Sequence, residues 1–306
     1  MRCPSLSELL PPPPGKNGWP WTEKSPQAPQ APNDGQTWPR ITVVTPSYNQ
    51  GQFIEETMRS VLLQGYPNLE YMVLDGGSTD NSPSIIRKYA PWLTYWIIEP
   101  DNGQADAIAR GFRRATGDIL AWLNSDDLYM PQTLSNVARA FLAHTQAAIV
   151  YGNTYRINLD GDIIAERRQT PFSRSGYLYG GMDLDQPGVF WTRDIYKRVG
   201  GVDSNLRFKM DTDLFYRFVL DGANFVYAKE FLACFREHGA TKSSTMKDVQ
   251  MEETVLLTAK YWRISPGSWR IRLLRGGARL RRIAYYLWQG DAPWLFRVIW
   301  SRMGFS

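Results

Sequence analysis

The segment DILAWLNSDDLYMP, residues 118–131, runs an apolar stretch straight into two adjacent carboxylates, Asp126 and Asp127. Side-by-side carboxylates repel each other and destabilise a strand end unless something offsets their charge. A divalent cation is the natural partner. Oxygen ligands suit Mg²⁺ or Mn²⁺, and such ions commonly bridge one or two carboxylates to substrate phosphates. The plain alternative is a solvated loop capping the helix that starts at Pro131. A second acidic pair lies in MDTDLFYRF, where Asp211 and Asp213 open a helix. One of them could serve as a general base, or both could be first-turn acids favoured by the helix dipole. Positions two apart on a helix face different ways, so at most one can meet a substrate squarely. The chain has only two histidines: His238 follows the strand-like FLACF, and His144 sits on a helix face and reads as structural.

These groups need elements to hold them. ITVVT (41–45), YMVLD (71–75), LTYWII (93–98) and DILAWL (118–123) read as short buried strands. Between them, GQFIEETMRSVLLQ, NSPSIIRKYA and GQADAIARGFRRAT read as helices, and another begins at Pro131. Alternation at this spacing predicts parallel βαβ units with helices on both faces of a sheet. Ligands in such folds lie beyond the carboxyl ends of the strands. The segments there are Pro46-Ser47-Tyr48-Asn49, Asp75 to Asp80, Glu99 to Gln104 and Asn124 to Asp127, all small and polar. Beyond residue 147 the pattern becomes mixed. Antiparallel strands flank the turn Asp160-Gly161, QPGVFWT, FVYA and FLACFRE read as further strands, and TRDIYKRVG and MDTDLFYRFVLDG read as helices.

Composition bounds the rest. The chain has 306 residues, 43% of them apolar, enough for a large core. Two cysteines, Cys3 and Cys234, build no disulfide framework, so a reducing compartment is expected. No run approaches the roughly 18 apolar residues of a membrane-spanning helix, and the N-terminus lacks the apolar core of a signal peptide. Residues 1–39 are proline-rich and predict a flexible leader, although Trp19, Trp21 and Trp38 suggest local docking on the folded body. The net charge of +5 belongs to the tail: residues 262–306 hold nine arginines and one acid, Asp291. Arginines mixed with tryptophan and leucine predict an interfacial helix on an anionic bilayer. Packing on the domain is the second reading and nucleic-acid binding the weakest. Gly276-Gly277 and Gly290 are expected to break the tail into short helices.

TPSYNQGQFIEETMRSVLLQGYPNLEYMVLDGGSTDNS followed by DNGQADAIARGFRRATGDILAWLNSDD resembles the family 2 glycosyltransferases of GT-A fold, over about residues 40–245. The resemblance implies a Rossmann-like αβα sandwich with a mostly parallel sheet. Residues 40–147 would bind a nucleotide-diphospho-sugar and residues 148–245 the acceptor; outside the resemblance, residues 246–306 read from their own pattern as basic, aromatic helices. It places Pro46, Tyr48 and Asn49 at the base pocket, Asp75 at base or ribose, and Gly103, Gln104 and Asp106 beside the donor. It gives Asp126 to ribose or sugar, Asp127 to the metal, and His238 to the metal or diphosphate. Asp211, rather than Asp213, becomes the base of an inverting transfer. Gln186 and Trp191 could line the acceptor pocket, with burial of Trp191 in the core as the other possibility. Many relatives carry two acids after the second strand, where this chain has Asp75-Gly76.

The resulting expectation is a metal-dependent inverting transferase at the cytoplasmic face of a membrane. Its acceptor would be a saccharide or a lipid-linked glycan of cell-envelope or exopolysaccharide synthesis. A sugar nucleotidyltransferase is the first alternative, but it would want a basic glycine-rich loop after the first strand, and TPSYNQGQ has no cation. A nucleotide- or carbohydrate-binding module without turnover is the second.

Overall fold

Strands that are buried along both faces form the centre of the molecule. In the computed structural model, which describes residues 3–29, 31–32, 36–239 and 245–296, β1 (Ile41–Ser47), β2 (Leu69–Asp75) and β4 (Ile119–Trp122) are buried throughout. β3 (Tyr95–Ile98) is a more exposed strand beyond β2. Helices α1 (Ile54–Leu62), α2 (Ser82–Tyr89) and α3 (Gln104–Arg114) make the crossovers. All four strands pair in parallel, with Ile41 opposite both Leu69 and Ile119, and Met72 opposite Tyr95. The chain therefore leaves β1 toward β2 on one side and returns to β4 on the other. That reversal opens a crevice at the carboxyl ends of the strands.

The remaining strands extend the same sheet. After β5 (Leu128–Tyr129) and α4 (Thr133–Ala143) come β6 (Ile149–Ile157), β7 (Ile163–Arg167), β8 (Val189–Thr192) and β9 (Phe225–Arg236). The strand order is β3-β2-β1-β4-β8-β6-β9-β5, with β7 paired to β6. β8 runs antiparallel to β4 and β6, whereas β9 is parallel to β6. FVYA and FLACFRE are thus one strand rather than two; irregular pairing around Asn153 absorbs the residues between them. α5 (Arg174–Leu178), α6 (Arg193–Arg198), α7 (Met210–Leu220), α8 (Lys247–Tyr261) and α9 (Trp269–Trp288) complete the elements used below.

Two expectations need correction. The leader is not a flexible arm over its described residues. Cys3, Leu9, Trp21 and Trp38 are buried, and Trp19 donates its indole N–H to the Tyr129 carbonyl at 2.8 Å. The organising group is Arg59 on α1, itself fully buried. It donates to the carbonyls of Leu10, Pro20 and Trp21 at 2.8, 3.1 and 2.9 Å and stands over the Trp21 ring. A proline-rich chain has little internal bonding of its own, so a buried guanidinium that needs acceptors supplies what composition could not predict. The tail is corrected likewise: α9 runs unbroken through Gly276-Gly277 for 20 residues. Two helix-interior glycines cost only about 2 kcal/mol, and one face of α9 packs on α5.

By packing, residues 1–169 with 184–254 form one unit and residues 170–183 with 255–306 a second. Arg297, Arg302 and the stretch 240–244 after His238 lie outside the described residues.

Candidate active site

The loops after β1 and β2 are laced together by their small polar residues. Asn49 adopts φ +51°, donates its amide to Ser78 Oγ at 2.7 Å and accepts the Thr79 amide at 2.9 Å. Asp80 accepts the amides of Gly51 at 2.8 Å and Ser82 at 2.9 Å. Burial tends to raise the Asp80 pKa, but these bonds outweigh it and hold the carboxyl below its ordinary range. Asp75 is 1% exposed. It accepts from the hydroxyls of Ser47 and Ser78 at 2.9 and 2.7 Å and from the Ser78 amide at 2.8 Å. Its carboxylate is spent on shaping the loop. Pro46 is buried inside β1, which continues to Ser47, whereas Tyr48 projects with 62% exposure.

The start of α3, which follows β3, is tied to the loop after β4. Gly103 precedes the helix at φ +103°, a conformation that disfavours a side chain. Gln104 donates to Asn124 Oδ1 at 2.6 Å, and Asn124 donates to Asp127 Oδ2 at 3.1 Å. Asp106 accepts the Asn102 amide at 3.2 Å, closing the turn into α3. The space left by Gly76 is taken by Asp101: a Cβ on residue 76 would stand 2.9 Å from Asp101 Oδ2. Burial, with the nearby charges of Asp106 and Asp75, raises the Asp101 pKa. Asp101 thus stands beside Gly76, next to Asp75, at the strand ends. The sequence signal for that placement was the glycine after Asp75 combined with an acid at the next strand end.

The paired carboxylates divide their tasks. Asp126 Oδ2 lies 3.2 Å from His238 Nε2, and its side chain is 19% exposed. Asp127 is 1% exposed and accepts the Arg236 amide at 3.0 Å. Burial, then the Asp126 charge, pushes Asp127 well above the ordinary carboxylate range, against the pull of the Arg236 amide and Asn124. The buried guanidinium of Arg236 ties the surroundings together. It reaches Glu56 of α1 at 2.8 Å, the Asp126 carbonyl at 2.9 Å, and the carbonyls of Asn158 and Leu159 in the β6–β7 turn at 3.0 Å each. Phe53 packs under both Arg236 and His238. Carboxylate and imidazole groups are of the kind that suits a hard divalent cation, and a nearby cation would favour the ionised form of Asp127 that burial disfavours. Among the described residues, no three acidic, histidine or cysteine side chains cluster closely enough to hold an ion unaided.

At the start of α7 the two acids are not equivalent. Asp213 is fully buried and paired with Arg217 at 2.6 Å. Asp211 keeps partial exposure and accepts the Thr212 amide on Oδ1 at 2.6 Å. Burial raises its pKa, against the Thr212 amide and the Lys209 charge. Glu253 of α8 accepts the amides of Arg207, Phe208 and Lys209 at 2.7, 3.0 and 2.6 Å, which fixes the entry to α7. Asp211 makes no hydrogen bond to the Asp126–Asp127 group. Gln186 is buried beside the β4 end and donates to the Trp122 carbonyl at 2.8 Å, leaving its own carbonyl oxygen buried and unbonded. Trp191 corrects the acceptor-side expectation. It is 0% exposed and packs among Phe112, Trp122, Phe215 and Phe218. Its position in β8 turns the large apolar ring into the core, with its indole N–H buried and unbonded.

Comparison with known proteins agrees with this geometry. The description "Glycosyl transferase family 2" matches residues 42–199. An uncharacterized glycosyltransferase of Mycobacterium tuberculosis is 28% identical over 186 residues, covering 60% of this chain and 70% of that protein. A Pyrobaculum calidifontis mannosyltransferase solved with GDP-Man and Mn²⁺ superimposes with TM-score 0.56 at 21% identity, covering 89% of this chain and 79% of that one. S. aureus TarS 1–349 in complex with UDP-GlcNAc gives TM-score 0.54 at 16% identity, covering 80% and 73%. With four polar strand ends gathered at the crevice of a mostly parallel sheet, and more than half its length within the family match, the chain belongs to glycosyl transferase family 2 and is a glycosyltransferase of GT-A fold.

Proposed function

We propose that this enzyme transfers a sugar from a nucleotide-diphospho-sugar to a saccharide or lipid-linked acceptor, with inversion and with a divalent cation. The observation that carries this reading is the Asp126–His238 contact beside buried Asp127, at the same edge as the laced loops 48–51 and 75–82. The base and ribose would lie against Tyr48, Asn49 and Asp101, with Asp75 holding the loop that faces them. Gly103, Gln104 and Asp106 would shape the wall beside the donor, where a helix N-terminus favours phosphate. Asp126, Asp127 and His238 would hold the cation, Mg²⁺ or Mn²⁺. When bound, it would draw negative charge from the departing diphosphate.

Asp211 takes the acceptor hydroxyl proton on Oδ2, since Oδ1 is engaged by Thr212. Its raised pKa makes it a stronger base than an ordinary aspartate, while Asp213 is held by Arg217. Gln186, with its unbonded carbonyl oxygen, is the acceptor-side group that remains once Trp191 is assigned to the core. The solved neighbours carry different nucleotides, so the donor is left as a class. Location at the cytoplasmic face of a membrane, for a cell-envelope or exopolysaccharide acceptor, fits the arginine-rich tail.

Titration calorimetry of UDP, GDP and dTDP, with Mn²⁺ or EDTA, tests the donor site. One nucleotide is expected to bind, losing about tenfold or more in affinity with EDTA and in Asp127→Asn. Metal-independent binding would remove the assigned role of the acidic pair. Absence of binding by folded protein would remove the donor site.

A further inference from the structure

We propose that the solvent-facing stripe of α9 is a docking surface for an anionic lipid bilayer and that the helix lies flat upon it. This deepens the membrane placement given above by naming the surface and the lipid charge it reads. α9 spans Trp269–Trp288, about 30 Å at 1.5 Å per residue. At 3.6 residues per turn, Trp269, Leu273, Leu280 and Leu287 fall within an arc of about 40°. Each is far more exposed than a large apolar residue of a packed helix, at 65%, 65%, 69% and 53%.

The opposite side of the same helix is seated on α5 and its flanks. Ile271 and Tyr286 are buried. Arg275 donates to the Tyr179 carbonyl at 2.7 Å, Arg281 donates to Ser173 Oγ, and Ala278 closes on Gly181. α9 therefore has one face packed and one apolar face in solvent.

Charge identifies the occupant. Residues 262–290 contain no aspartate or glutamate, while α9 holds six arginines. By helical position Arg270 borders the stripe on one side and Arg272 and Arg279 on the other. Apolar residues flanked by cations on both edges match an acyl surface beneath phosphate headgroups, with the arginine stems lying along the apolar layer. Trp269 at one end and Trp288, 79% exposed, at the other suit headgroup depth. A second copy of the helix would set arginine against arginine with no acid between them. A nucleic acid would leave the leucines facing phosphate and water. The arginines also keep the helix from crossing the bilayer, and no described helix is long and apolar enough to do so.

Vesicle flotation of the full chain tests the proposal, using phosphatidylcholine vesicles with and without phosphatidylglycerol. Wild type is expected to float with the anionic vesicles only, losing binding about tenfold as salt is raised from low to physiological strength. Leu273→Glu/Leu280→Glu should abolish flotation, and Arg270→Gln/Arg272→Gln/Arg279→Gln should weaken it at least tenfold. Both variants change exposed side chains and should keep the wild-type circular dichroism and nucleotide affinity. Wild type that fails to float, floats equally with neutral vesicles, or floats as well in the leucine variant overturns the proposal. So does a wild-type dimer in sedimentation that the leucine variant converts to monomer while vesicles are ignored. Nucleotide affinity in the same preparations separates the two readings: its retention without flotation removes the docking surface and leaves the transferase assignment standing.

Discussion

At the residue scale, the two acids of α7 illustrate how identical side chains acquire different chemistry. Asp213 is locked to Arg217 in the interior, whereas Asp211 has one oxygen engaged and its pKa raised by burial. Replacing Asp211 with Asn should lower kcat by about 10²–10⁴-fold with a smaller change in KM. The acid limb of the wild-type pH–rate profile should lie above the roughly 4 of an ordinary carboxylate and vanish in the variant. Stability should move the other way. Folding favours the protonated form of Asp211, so its contribution is greatest at low pH and is lost as pH rises from the unfolded value through the raised folded one. Asp211→Asn should therefore be as stable as wild type at neutral pH, or slightly more so. Asp213→Asn, by contrast, should lose about 3 kcal/mol because Arg217 is left without its partner. Denaturant unfolding and a pH–rate profile of the three proteins check both statements. Equal kinetic damage in the two variants would remove Asp211 as the base.

At the element scale, the site depends on a guanidinium that touches three segments at once. Arg236, at the end of β9, joins α1 through Glu56, the acidic loop through the Asp126 carbonyl, and the β6–β7 turn through Asn158 and Leu159. Arg236→Met should destabilise the fold by about 3–5 kcal/mol, since Glu56 is left charged and buried. Arg236→Lys should recover part of that stability through Glu56, but it cannot span the same carbonyls, because lysine lacks the planar fork. Metal-dependent nucleotide binding should therefore stay weakened in the lysine variant after its melting temperature has largely recovered. Full recovery of both would reduce Arg236 to a simple ion-pair partner.

At the scale of the whole molecule, the leader behaves as part of the core. Arg59 holds it through three carbonyls, and Trp21 and Trp38 are buried. Arg59→Met should cost about 3 kcal/mol in the local stability of residues 3–29, since bonds from a charged donor contribute roughly 1.5–3 kcal/mol each and some are replaced by water. Limited chymotrypsin digestion reads this as much faster cleavage after Trp21 in the variant. Unchanged cleavage would mean that the tryptophans alone hold the leader.

These scales differ in how much of them could be read before folding. The four parallel strands, their crossover helices and the polar strand ends were legible because burial and turn chemistry leave local patterns: apolar runs of a few residues, then glycine, asparagine or aspartate. The family was legible for the same reason, since its motifs sit in those loops in fixed order. What needed the folded chain was every relation between residues distant in sequence. Trp191 has the composition of a sugar platform, yet the pairing of β8 with β4 turns it inward. Asp101 occupies the space beside Gly76 only because β3 lies next to β2. The leader is ordered by an arginine from α1, and α9 continues through two glycines because its other face has α5 to pack against. Local sequence encodes which conformations are inexpensive. Long-range contacts, whose free energies exceed those local preferences by several-fold, select among them.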